Sequence, residues 1–184
     1  MSEKEKMING EFYNPTDKEL LQNRISAKNL CIKYNTLLPV QYSQKQMILR
    51  KLFGKIGNNI HIEPNFFCDY GYNIEIEDSV YINHNSVFLD CAKIKIGKNT
   101  LIGPNCGFYT ASHPLKSEER IQGFEYAKPI TIGKEVWIGG GVTVLAGVTI
   151  GDGTVIGAGS VVTKDIPSNV VAVGNPCKVI KNIT

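Results

Sequence analysis

The sequence predicts a mainly β fold, a parallel β-helix. Three observations carry that expectation: a six-residue aliphatic beat, the small residues behind each beat, and the persistence of the pattern from about Ile56 to Val162. Ile132, Ile138, Val144, Ile150, Ile156 and Val162 follow one another at intervals of six, mostly in units such as IGKEVW, IGDGTV and IGAGSV. A helix repeats every 3.6 residues and a strand every 2, so this spacing implies short strands separated by tight turns. Three units make one 18-residue coil of a triangular prism. The aliphatic residue points inward, while Gly153 with Thr154 and Gly159 with Ser160 suit corners where the backbone needs φ > 0. A single coil buries almost nothing. Stacked coils pair strands at roughly 4.8 Å and create a continuous core.

Ahead of the prism, residues 1–55 read as a helical cap. Thr16 with Glu19 and Ser43 with Gln46 form capping-box pairs, which places helix starts near Asp17 and Gln44, with Gly54 stopping the second helix. Leu20, Leu21, Ile25, Ala27 and Cys31 fall at helical spacings in the first segment. These helices are expected to cover an end or a flank of the prism and shield its strand edges. Asp17 and Tyr13 lie at their leading end, within reach of a neighbouring site; ordinary cap and surface roles are the alternative.

The beat of residues 56–184 begins in two shorter phases, Ile76, Ile82, Phe88 and Ile94, then Ile96, Ile102 and Phe108, separated by a two-residue slip at Lys95 to Ile96. It stops between Ala111 and Lys128, where ASHPLKSEERIQGFEYAK holds six charged residues and no periodic aliphatic. Such a segment reads as a long loop thrown out of one coil, and loops of that length tend to be functional.

Composition narrows the class. The 184 residues fit one domain with an appendage, and the five cysteines are odd in number without C-x-x-C spacing, which points to free thiols in a reducing compartment. The start MSEKEKMINGEF is charged where a signal peptide is apolar, and no run approaches a membrane span, so a cytoplasmic protein without membrane contact is expected. A net charge of +3 without a basic stripe argues against nucleic acid. Only Lys178, Lys181 and Lys164 gather positive charge, near the end of the prism.

Of the three histidines, His61, His84 and His113, the last sits in FYTASHPL where the loop leaves the coils. Its side-chain type titrates near pH 6.5 and can take and return a proton. A purely structural histidine is the alternative. A zinc enzyme on the same scaffold needs three convergent histidines, and His84 and His113 are 29 residues apart with no H-x-x-x-x-H spacing, so no metal is expected.

The stretches EKEKMINGEFYNPTD, EPNFFCDYGYNIEIEDSVYINHNSVFLD, YTASHPL and KPITIGKEVWIGGGVTVLAGVTIGDGTVIGAGSVVTKDIPSNVVAVGNPCKVI closely resemble the maltose and galactoside O-acetyltransferases. These are the sugar branch of the hexapeptide acyltransferases, and the maltose enzymes are nearest. The resemblance implies a left-handed β-helix, a homotrimer, and acetyl-CoA and sugar sites in clefts between subunits. It implies that His113 is the general base, with Asn83 in VYINHNS as donor or orienter near the thioester. Asparagine at a prism corner, where it tolerates the left-handed region, is the other reading of Asn83.

For the acceptor, Asp69, Tyr81 and Glu125 match family positions that face the sugar, and Asp17 and Asp90 are further candidates. The aspartate that contacts sugar in the galactoside enzymes aligns at Cys91, which hints at an acceptor unlike a galactoside. Glu125 either binds acceptor or orients His113. For acetyl-CoA, the matching positions are Gly140, Ala158, Thr163, Lys164, Lys178 and Lys181. Lysines here replace the arginines of the galactoside branch, so they meet phosphate as point charges. Trp137, the only tryptophan, lines the cleft or packs between subunits. Acyl transfer to a non-sugar acceptor and a non-catalytic binding solenoid are the rival functions.

Overall fold

Ile56, Ile76, Ile96, Ile132 and Ile150 lie one above another on the first of three parallel sheets. The computed structural model describes residues 1–184. Ile62, Ile82, Ile102, Ile138 and Ile156 stack likewise on the second sheet. Cys68, Phe88, Phe108, Val144 and Val162 stack on the third. The hexad aliphatics from Ile132 to Val162 are all buried, so the inward stripe read from the sequence is the core. The chain is a parallel β-solenoid.

Coil length varies, and the variation falls in one place. From the register on the first sheet, successive coils are 20, 20, 36 and 18 residues long. Within each coil the second and third inward positions keep their six-residue spacing, so every extra residue enters at the corner between the third sheet and the first. The slip expected at Lys95 to Ile96 therefore lies elsewhere. Ile94 and Ile96 both point inward from one strand, Ile94–Ile96, and the two extra residues belong to the preceding corner. The longer coils also carry the larger core residues: on the third sheet Phe88 and Phe108 pack with ring centroids 4.5 Å apart, and Phe66 meets Phe88 edge-on at 5.2 Å, where the shorter coils place Val144 and Val162 in the column of Phe88 and Phe108.

At the other two corners the chain turns through a left-handed residue. Asn99, Glu135 and Gly153 occupy equivalent positions with φ of 58°, 58° and 64°. Asn65, Asn85 and Asn105 do so at the next corner, where their side-chain amides bond in a ladder at 3.0 Å. Thr154 and Ser160, the buried residues behind Gly153 and Gly159, turn their hydroxyls back onto Pro167 O and Gly157 O at 2.7 and 2.6 Å, so both hydroxyls are satisfied.

Three helices precede the solenoid rather than the two expected: α1 (Glu3–Ile8), α2 (Lys18–Asn35) and α3 (Tyr42–Leu52). The first is set by a capping box from Ser2 and Glu5, too short a signal to stand out by periodicity. Asp17, not Thr16, caps α2, because its carboxylate accepts from both Glu19 N–H and Leu20 N–H. α3 starts two residues ahead of its expected position, from Gln41 without a side-chain cap. Gly54 is no left-handed stop. A Cβ there would lie 2.1 Å from Tyr72 O, so close approach to the first corner requires the glycine.

α2 and α3 close the open end of the prism. Tyr34 Oη donates to Ile62 O, Gln46 Nε2 donates to Ile60 O at 2.9 Å, and Asn35 bonds both Phe66 O and Phe66 N–H at 3.0 and 3.1 Å. The first coil's outer polar groups are thereby satisfied by side chains. α1 and Leu20 instead pack on a flank, where Met7, Tyr13, Tyr70, Cys91, Ala92 and Ala127 form a second, smaller cluster. At the far end, strand Lys178–Asn182 pairs antiparallel with Val170–Val173.

Ile150→Asp buries an unpaired charge between Ile132 and Ile166. It is expected to cost about 4 kcal/mol and to lower the melting temperature by roughly 10 °C or more. Thr149→Asp, one residue away on the exposed side, should melt near wild type; equal losses in a thermal melt would show that the inward stripe does not hold the stack.

Candidate active site

The corner that takes every insertion is also where the candidate acids gather. Asp90, in the second inserted segment, is fully buried and turns Oδ1 onto two backbone amides of the segment one coil below, Asp69 N–H at 3.0 Å and Tyr70 N–H at 2.8 Å. Its carbonyl accepts from Asn73 Nδ2 at 2.7 Å. Thr110, one coil further on, donates to Leu89 O and accepts from Ala92 N–H. Each inserted segment is therefore tied to the next by hydrogen bonds. Asp90 Oδ2 is buried without a hydrogen-bond partner, and burial pushes the carboxyl up to about 8.

Asp69 is held half-buried by these bonds. Burial raises its carboxyl, with Lys28 and Arg24 from α2 pulling the other way. Arg24 itself is fixed, donating to Tyr70 Oη at 2.6 Å and to Pro15 O at 2.5 Å. Cys91 Sγ lies 3.9 Å from Asp69 Oδ2, and burial pushes that thiol up to about 12, so it stays neutral.

The third inserted segment is the long excursion, and its neck is zipped rather than loose. Strand Ala111–Ser112 pairs antiparallel with Tyr126–Ala127, Ala111 opposite Ala127 and Ser112 opposite Tyr126. A single helical turn, α4 (Ser117–Arg120), lies beyond the neck. His113 and Glu125 are the next residues in that register, and His113 Nε2 stands 3.8 Å from Glu125 Oε1. The His113 side chain is 56% exposed, open to a reactant.

A second edge carries the other candidates. Residues 20 apart stack one coil apart there: His61 on Tyr81 with rings 5.4 Å apart and 5° from parallel, and Glu63 beside the segment that carries Asn83 and His84. Glu63 takes His61 Nε2 at 3.0 Å, Tyr81 Oη at 3.2 Å and His84 Nε2 at 3.6 Å. Burial alone would raise the Glu63 carboxyl, but the hydrogen bond and charge of His61 and the charge of His84 hold it low. Asn83 uses Oδ1 for His84 N–H and Nδ1, both at 2.8 Å, which leaves its amide nitrogen as a donor. The left-handed residue at this corner is Asn85, so Asn83 is not there for its backbone.

Trp137 stands 57% exposed on the second sheet between Leu101 and Val155. Gly140 and Ala158 follow at the same corner as Asn83, and Lys178 pairs with Val173 above them. Lys181 pairs with Val171 on the same sheet. Thr163 and Lys164 follow the third sheet, at the corner of Asp69 and His113. One chain thus divides the candidates between two prism edges. Asp69, His113, Glu125, Thr163 and Lys164 share one, and Tyr81, Asn83, Trp137, Gly140 and Ala158 share the other.

Residues 6–57 match the maltose acetyltransferase hexapeptide capping motif, and residues 129–164 match the bacterial transferase hexapeptide of six repeats. Residues 93–110 match the hexapeptide repeat of succinyl-transferase. A maltose O-acetyltransferase from Clostridium difficile 630 is 50% identical with a TM-score of 0.99, over 100% of this chain and 98% of its own. The chain belongs to the maltose and galactoside acetyltransferase family of hexapeptide-repeat enzymes. A galactoside acetyltransferase solved in complex with coenzyme A is 40% identical, with a TM-score of 0.96 over 100% of this chain and 92% of its own. A hexapeptide-repeat acetyltransferase from Vibrio cholerae, solved with acetyl-CoA, is 38% identical with a TM-score of 0.93 over 100% of both chains.

Within this acetyltransferase, Asp90 takes another role, and Asp17 keeps one carboxylate oxygen uncommitted. Asp90 cannot face an acceptor, because it is sealed in the corner that it organises. Asp17 commits one carboxylate oxygen to the α2 cap. The Glu63 cluster was missed, although the 20-residue coil length would have revealed it: 61 and 81, and 63 and 83, differ by one coil. The pairing of Tyr13 with Glu125, 2.7 Å between Oη and Oε2, leaves no such trace over 112 residues.

Asp90 gives the acetyltransferase a pH signature. Its folded value lies above the ordinary carboxylate value near 3.9, so the folded chain holds the extra proton. That contribution is complete below about pH 4 and is lost as pH rises towards 8. Asp90→Asn keeps an oxygen for both amides without a charge, and should melt at or above wild type at pH 9. Asp90→Ala strands the amides and should cost about 1–3 kcal/mol at pH 6. Melting curves from pH 6 to 9 decide this: parallel wild-type and Asn traces would show that the buried carboxyl does not titrate there.

Proposed function

We propose that the enzyme transfers the acetyl group of acetyl-CoA to a sugar hydroxyl of the maltose, glucose or galactoside type, with His113 as general base. The observation that carries this reading is the position of His113: an exposed imidazole with a carboxylate beside it, at the neck of the one excursion, on the edge shared by Asp69. A sugar hydroxyl is too weakly acidic to attack a thioester unaided at neutral pH, so its proton must leave as the C–O bond forms. His113 accepts that proton, and Glu125 faces the imidazolium that results. The tetrahedral oxyanion needs a fixed donor, a contribution commonly worth about 3–4 kcal/mol. The Asn83 amide nitrogen is suited to it. Collapse breaks the C–S bond, and the proton passes from His113 to the departing sulfur, giving the acetyl sugar and free CoA. No side chain is acylated.

The two edges favour a homotrimer. His113 and Asn83 belong to different corners of one prism, so the oxyanion donor and the base meet when a second copy apposes its Asn83 edge to the His113 edge of the first. Such a heterologous contact closes into a ring, and three copies suit a triangular prism. The acetyl-CoA arm then runs between prisms along Trp137, Gly140 and Ala158 of one copy and Thr163 and Lys164 of its neighbour, with Lys178 and Lys181 meeting phosphate. Asp69 and Tyr81 supply hydrogen bonds for acceptor hydroxyls. The five unpaired thiols suit the cytoplasm, and no helix is long and apolar enough to cross a membrane.

Acetyl transfer to maltose, glucosides and galactosides, read by mass, tests the acceptor class. Acetylation of serine or another non-sugar hydroxyl with no sugar product would overturn it. His113→Ala is expected to keep the assembly and bind acetyl-CoA while turnover falls by about 10²-fold or more in a CoA-thiol release assay. A near wild-type rate would remove His113 from the mechanism.

A further inference from the structure

Glu125 lies between two antiparallel neighbours, just ahead of strand Tyr126–Ala127. On one side it continues the register that pairs Ser112 with Tyr126, which places it opposite His113. On the other side it bridges Tyr13 through two backbone bonds, Tyr13 N–H to Glu125 O at 2.9 Å and Glu125 N–H to Tyr13 O at 3.1 Å. Side chains opposite one another across antiparallel strands project to the same face. Tyr13, Glu125 and His113 therefore stand in a row.

The contacts along that row are unequal. Tyr13 Oη donates to Glu125 Oε2 at 2.7 Å, a charge-assisted bond of good length. Glu125 Oε1 is 3.8 Å from His113 Nε2, an ion-pair separation rather than a hydrogen bond. The carboxylate is thus anchored from the N-terminal segment and offers its remaining oxygen to the imidazole. Tyr13 itself is fully buried among Met7, Leu20, Tyr70, Cys91 and Ala127, and Phe12 packs edge-on to Tyr126 at 5.5 Å beside it. Burial pushes the Tyr13 phenol well above its ordinary value, so it remains a donor. The other titratable groups facing the row are Cys91 and Asp69, with Arg24 and Lys28 beyond Asp69.

We propose that Tyr13 is a positioning residue for acetyl transfer: its buried hydroxyl fixes the Glu125 carboxylate so that one oxygen faces His113 as the imidazole takes up the acceptor proton. This rests on the assignment of His113 as the base. The N-terminal segment is then part of the active-site machinery, and its docking on the excursion couples the cap to the chemistry. Tyr13 touches neither reactant, and its effect passes entirely through Glu125.

The experiment is a double-mutant cycle on the full-length enzyme, using the best acceptor from the sugar panel. Tyr13→Phe keeps the buried ring and is expected to lower kcat about tenfold, with KM for acetyl-CoA unchanged and the melting temperature only modestly lower, a smaller loss of rate than that of the base itself. Glu125→Gln lowers kcat at least as far, and the Tyr13→Phe/Glu125→Gln double variant falls no further than Glu125→Gln alone. Wild-type kcat in Tyr13→Phe, or losses that multiply in the double variant, would overturn the proposal. His113→Ala run in parallel separates the two inferences: if it stays active the base assignment fails, and if it is inactive while Tyr13→Phe is unaffected only the positioning role fails.

Discussion

Stacking of inward aliphatic residues in register, Ile76 on Ile96 on Ile132 on Ile150, is the constraint on which everything else depends. A parallel strand pair that slips by one residue turns its core residues to solvent, so the register between coils is rigidly enforced. Extra residues can enter only where the chain leaves one sheet for the next without breaking it. In this protein they all enter at one of three corners. Insertions separated by 20 residues in sequence therefore become neighbours, and a single prism edge accumulates Asp69, Asp90, Cys91, His113 and Glu125.

That edge combines a firm interior with a reactive surface. Asp90, neutralised by burial, spends one oxygen on two amides and so fixes the segment that presents Asp69. A buried carboxylate left charged in such a place would be costly, and a raised proton affinity is the usual outcome. Outside this layer, the zipped neck holds His113 and Glu125 on paired strands rather than on a free loop. Rigid support of that kind suits a group that must meet a developing charge without reorganising. The cluster of Met7, Leu20, Tyr70 and Ala127 extends the support to the N-terminal helices.

The opposite edge is more open. Asn83, the Glu63 ion pairs and Trp137 lie along the second sheet and its following corner, and they share no hydrogen bond or ion pair with His113 in one chain. A groove of the single chain lined by Lys55, Glu75, Lys95 and Asp152 runs over the first sheet and includes none of these residues. A cleft between copies is the arrangement that unites the two edges, which is why the proposed chemistry and the proposed assembly stand together.

The architecture was legible because its signal is local. A buried aliphatic every sixth residue, with a small or left-handed residue behind it, dictates strand, turn and inward direction within a dozen residues. The same locality exposed the excursion at Ala111 to Lys128 and, within it, His113. Helix α1 was too short to show a period, and the inserted pairs at the corners looked like a slip beside Lys95 because Ile94 and Ile96 both face inward.

What only the tertiary structure decided is which distant residues share an edge and which acids face out. Asp69 and Asp90 look alike as isolated aspartates, yet coil stacking buries one and half-exposes the other. Tyr13 and Glu125 are joined by the docking of the cap on the neck, over a separation at which no periodicity survives. A repeat fixes the shape of each coil through contacts a few residues apart, whereas the neighbours of a corner residue depend on the length of every intervening coil.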